Sequence, residues 1–102
     1  MKKTKSMIYR PSEESRELAL YAENTGELYR RCIVPVIQCL QKKYVKGIFD
    51  IENSIPLWYN IATEASKMYN REFGYSFNVT DRYTAACDLA EGYFDLIKEG
   101  NA

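Results

Sequence analysis

Ile55, Trp58, Ala62, Ala65 and Tyr69 recur at alternating intervals of three and four residues, the repeat of one face of an α-helix and of no strand. Leu57, Ile61 and Met68 add a second apolar stripe, and the combined arc of about 200° is wider than one neighbour covers. The stretch from 51 to 73 is therefore expected to be the central element, packed on two sides. Asp50 is placed to cap its start and Gly74 to end it, while Pro56 leaves Ser54 open as an alternative cap.

The same spacing returns in Tyr83, Ala86, Ala90, Tyr93 and Ile97, flanked by Leu89, Phe94 and Leu96. It predicts one helix over about 80–99, capped by Thr80 or Asn78. Gly92 lies beside that apolar arc and points to the close approach of a neighbour. Upstream, Leu28, Tyr29, Cys32, Ile33, Val36, Ile37, Cys39, Leu40 and Tyr44 fill one half of a helix expected over about 25–46. Asn24 with Glu27 reads as its capping box, and Gly47 as its end. Pro35 removes one backbone donor inside this run; because the apolar face continues on both sides, a kink is expected rather than a break. Pro11 and Ser12 ahead of Glu13 and Glu14 start a short first helix over about 12–23, weakly amphipathic through Leu18, Tyr21 and Ala22.

No alternating strand pattern competes with these segments. The expected fold class is all-α, a compact bundle of three main helices plus a short N-terminal helix. It occupies a single domain over 11–100, preceded by a flexible basic arm at 1–10 with Lys2, Lys3, Lys5 and Arg10.

The 102 residues contain no histidine, which removes the usual general base, the usual partner of a nucleophile and the commonest metal ligand. No phosphate-cradling glycine loop, metalloprotease motif or nucleophile elbow is present. Asp88, Glu91 and Asp95, like Glu13 and Glu17, are paired at helical spacing, but they read as solvated faces without an apolar pocket to shift them. Cys32, Cys39 and Cys87 form no close pair and are expected to be buried, reduced thiols rather than disulfides or metal ligands. An enzyme is thus not expected, nor a cofactor or metal. No run has the roughly 18 apolar residues of a membrane span, and the basic start lacks a signal-peptide core, so a cytoplasmic location is expected.

Charge is uneven along the chain. Residues 1–49 hold ten Lys/Arg against five Asp/Glu, and residues 50–102 hold four against nine. Either the protein is electrically polarised, or the two halves pair their charges across a common rim. The arc of helix two away from its apolar stripe carries Arg30, Arg31, Val34, Gln38, Gln41, Lys42, Val45 and Lys46. These are the candidate partner-binding residues, to be weighed against an ordinary scatter of exposed side chains. Tyr29, Tyr44, Tyr69, Tyr83 and Tyr93 fall on core stripes, which leaves Tyr59, Tyr75 and Phe77 to face a partner. Nucleic acid is the alternative partner, through the basic arm and helix two. Gly26 in a short turn followed by Arg30 and Arg31 is loosely helix-turn-helix-like, although five glutamates crowd the same region. A homodimer through the helix-two face is a third expectation.

Leu28-Tyr29-Arg30, Lys46-Gly47 with Asp50, then Trp58, Ala62, Ala65, Lys67 and Tyr69, closing on Arg71-Glu72-Phe73-Gly74, resemble the pattern of small all-helical bacteriophage and prophage proteins of gut bacteria. The resemblance spans residues 16–99 and carries no catalytic residue. It implies a phage or mobile-element protein that binds a host protein and inhibits or modulates it, with an anti-CRISPR-like or other anti-defence role as one form.

Overall fold

In a computed structural model, residues 12–100 are described; the basic arm expected at 1–10 lies outside them. All regular structure among the described residues is helical, so the class is all-α. Helix α1 (Glu13–Asn24) opens at Ser12 with a reciprocal cap. The Ser15 N–H donates to Ser12 Oγ at 3.0 Å and the Ser12 N–H to Ser15 Oγ at 2.9 Å. Glu13 and Glu14 add negative charge to the positive end of the helix dipole.

Thr25 alone separates α1 from α2 (Gly26–Leu28). The expected Asn24–Glu27 capping box does not form. Asn24 ends α1, Thr25 heads α2 with no side-chain cap, and Glu27 pairs with Arg31. From α2 the chain runs unbroken through a π-helical turn (Tyr29–Ile33) into α3 (Val34–Val45). The Val34 N–H reaches back five residues to the Tyr29 carbonyl, so a π bulge just before Pro35 stands where a kink was expected. Downstream of the extra residue Ile37 and Leu40 turn inward while Cys39 of the expected apolar stripe is exposed; Tyr44, on the same face as Ile37 and Leu40, is exposed in the last turn of α3.

Helix α4 (Ile51–Phe73) has the expected bounds. Asp50 caps it by accepting from the Glu52 N–H at 3.1 Å, and Gly74 closes it with φ 75°, a left-handed conformation that only glycine adopts at low cost. Ser54 is not the cap: it is buried and its hydroxyl donates to the Ile51 carbonyl at 2.6 Å. Pro56 stands exposed inside the helix.

The last expected helix is two. Asn78 caps α5 (Val79–Gly92) by accepting from the Asp81 N–H at 2.7 Å. Tyr93 then leaves helical geometry, with φ −102° and ψ 5°, before α6 (Phe94–Glu99). That step lets the Tyr93 ring stack on Trp58, with centroids 5.6 Å apart and planes within 5°. Gly92 marks this break and not a tight helix contact. It is exposed, and a Cβ there would meet only the Glu23 carboxylate, at 3.9 Å.

α4 packs most extensively on α5, α1 lies against both, and α3 meets α6 and the flank of α4. Ala62 and Ala65 of α4 and Ala85 and Ala86 of α5, the two longest helices, are fully buried, small side chains that permit close helix approach. Trp58, Leu18, Ile33 and Leu89 fill the remaining core. Among the described residues α1, the α2–α3 run, α4, and α5 with α6 across the Tyr93 step make four helical segments, and the division into three main helices with a minor first one does not emerge from the packing. Ser15, Leu18, Ala19 and Ala22 place one whole face of α1 in the core.

Candidate functional site

Helix α3 ends in a hydrogen-bonded reversal that exposes apolar side chains. Gly47, with φ 78°, donates to the Tyr44 carbonyl at 3.0 Å, and the Ile48 N–H donates to the Lys43 carbonyl at 2.9 Å. This Schellman arrangement normally folds its last apolar residue onto one a turn earlier. Here the residue a turn earlier is Lys43, and the Ile48 side chain stays 63% exposed beside Val45 at 83%. Lys42, Lys43 and Lys46 of the same last turn are exposed as well, so this end of α3 presents apolar and cationic side chains together.

The eight predicted partner-binding residues divide on this surface. Arg30, Arg31, Gln38, Lys42, Val45 and Lys46 are exposed; Val34 and Gln41 are half-buried. Gln41 has a structural task, donating from Nε2 to the Leu96 carbonyl at 3.2 Å and tying α6 to α3. Arg31 pairs with Glu27 one turn back, and Lys67 with Glu64 at 3.4 Å, each within its own helical run. Ile48 was missed because it follows the helix and belongs to no periodic stripe.

A second surface lies near the start of α1. Glu13, Glu14 and Glu17 line a shallow cleft of about 430 Å³ together with Tyr69, Tyr75 and Phe77. The Tyr69 hydroxyl donates to Glu17 Oε2 at 3.3 Å. Tyr69 is the hub of an aromatic cluster, with ring centroids of Phe73, Phe77, Tyr21 and Tyr75 at 4.6, 5.0, 5.1 and 6.4 Å. Of the three aromatics left over for a partner, Phe77 is buried. Tyr59 is half-buried, its hydroxyl accepting from Arg82 Nε at 3.3 Å. Only Tyr75 among the three is exposed. Tyr83, expected in the core, is exposed as well.

No protein-family profile, no curated protein and no solved structure matches this chain. Its function must be read from its own residues.

The cysteines depart from the expectation of three buried thiols. Cys39 is exposed, while Cys32 and Cys87 are half-buried. Burial is the main cause that pushes the Cys87 thiol up, which suppresses the nucleophilic thiolate. Among the described residues no three His, Cys, Asp or Glu side chains converge on a metal-sized space. No helix among them is long and apolar enough to cross a membrane.

Asp88 is half-buried rather than part of a fully solvated acidic face, and Glu23 of α1 lies near it. Burial first, and then the Asp88 charge, raise the Glu23 carboxyl above its ordinary 4.5. Burial first, then Glu23 and Tyr29, push the neighbouring Tyr93 hydroxyl up to about 12. A carboxyl raised in the folded state favours folding while protonated, and that contribution is lost as pH climbs from the unfolded value through the folded one. Glu23→Gln is accordingly expected to raise the Tm at neutral pH. The gain should vanish once the solution is more acidic than 4.5. Thermal melts by circular dichroism across that interval check the sign; an unchanged Tm at pH 7 refutes it.

Proposed function

We propose that this chain is a small non-enzymatic module that binds a protein partner stoichiometrically through the carboxyl-terminal end of α3 and the reversal after it. The exposure of Val45 and Ile48 in a segment that also exposes Lys42, Lys43 and Lys46 carries this reading. Two exposed β-branched side chains gain roughly 25 cal/mol for each Å² buried on covering and, with few rotamers, lose little side-chain entropy. The lysines favour an acidic partner and steer its approach. Lack of histidine and a suppressed Cys87 thiol speak for binding rather than catalysis. The mobile-element setting, and an inhibitory or anti-defence role within it, extend this proposal only through the resemblance described above.

The test is affinity capture with the wild type beside a Val45→Asp, Lys42→Glu double variant. A partner retained by the wild type and lost by the variant, with helicity unchanged by circular dichroism, is the expected outcome. Equal capture by both proteins overturns the assignment of the surface. Retention of nucleic acid instead, falling steeply with salt, overturns the class of partner. Sedimentation at several concentrations is expected to show a monomer, since the lysines of two copies would repel.

A further inference from the structure

The aromatic groove beside α1 is independent of the α3 surface and has its own chemistry. Tyr75 and Phe73 are 45% and 59% exposed, so part of the five-ring cluster faces water. Aromatic faces carry negative electrostatic potential and attract cations within about 6 Å of the ring centroid. Glu13, Glu14 and Glu17 line the same cleft as the rings, with Glu17 three and four residues from the other two along α1 and accepting from the Tyr69 hydroxyl at 3.3 Å. The Asn70 amide donates to Ser76 Oγ at 3.0 Å and pins the loop that carries Tyr75. The Arg82 guanidinium holds the Phe77 carbonyl at 2.6 Å from the other side. The loop is therefore set in place before any ligand arrives, which lowers the ordering cost of binding.

We propose that this groove binds a basic segment of a polypeptide, seating an arginine or lysine side chain against the exposed Tyr75 ring and the glutamates of α1. Charge complementarity selects the occupant. A neutral apolar segment would leave the carboxylates partly desolvated and unpaired, and an acidic one would be repelled. A cationic side chain suits both kinds of group, its aliphatic stem lying on the exposed ring and its head against the carboxylates.

Calorimetric titration of the full chain with a blocked tetrapeptide of alternating arginine and lysine tests this directly. Saturable one-to-one binding is expected. A Glu14→Gln, Glu17→Gln double variant and a Tyr75→Ala variant should each weaken it by about tenfold, the scale of one such contact. Tyr75→Leu keeps apolar bulk in the loop and should weaken binding similarly, and Glu64→Gln on the outer face of α4 should leave it unchanged. No saturable binding overturns the proposal, including the case in which residues 1–10 of the chain already fill the groove. Binding that survives both Tyr75 variants while failing in the glutamate variant overturns it too, because charge alone would then account for the affinity.

Discussion

Trp58→Ala is expected to lower the stability of the protein by about 3–5 kcal/mol, the range for emptying a fully buried aromatic site. Domains of this size have about 5–15 kcal/mol in total, so the variant should be close to unfolding at 37 °C. The reason is positional. Trp58 is fully buried at the middle of α4, and its ring is the platform on which Tyr93 stacks where α5 gives way to α6. Its removal opens a cavity and withdraws the contact that holds the break in place. Trp58 Nε1 finds no acceptor in the structure, so phenylalanine sheds an unsatisfied buried donor along with some volume. Trp58→Phe should therefore be milder than Trp58→Ala by at least about 2 kcal/mol. Urea denaturation followed by circular dichroism measures both. Equal losses for the two would show that the indole fills no tightly packed space.

Leu18→Ala carries the second large effect, about 2–5 kcal/mol. Leu18 is fully buried between α1 and the α4–α5 pair, whereas Leu20 two positions on is 55% exposed. Leu20→Ala should change stability by no more than about 0.5 kcal/mol. The contrast decides whether α1 is an accessory or a structural member of the bundle. Both positions have the same residue in the same helix, so propensity cancels and only burial differs. A midpoint shift for Leu18→Ala no larger than that for Leu20→Ala would contradict the packing. Because α1 supplies Glu13, Glu14 and Glu17, the destabilised variant should also bind basic peptide less well.

The resting places of the helices follow from signals within four residues of each boundary. Ser12, Asp50 and Asn78 cap, Gly47 and Gly74 close, and the spacing of Trp58, Ala62 and Ala65 commits α4 to the interior. Hydrogen bonds of this kind close over three to five residues, so the letters themselves record them. For the same reason the lysines and valine of the α3 surface were visible beforehand as an arc lacking apolar periodicity. The error there was Gln41, whose carbonyl partner at Leu96 is 55 positions away.

What escaped a linear reading has a common cause. The π turn before Pro35 shifts the phase of α3, the Tyr93 ring at the step stacks on an indole from α4, and Phe77 is buried with its ring 5.0 Å from Tyr69 of α4. The groove is the clearest case: Glu17 meets Tyr69 across 52 positions of chain. Each of these arises from contacts between segments that periodicity treats as independent. Helix identity and the capped ends at Ser12, Asp50, Gly74 and Asn78 are local free-energy choices and were written in the order of the residues. Phase, breaks and converging side chains depend on how the helices share one core, and only the packed molecule expresses them.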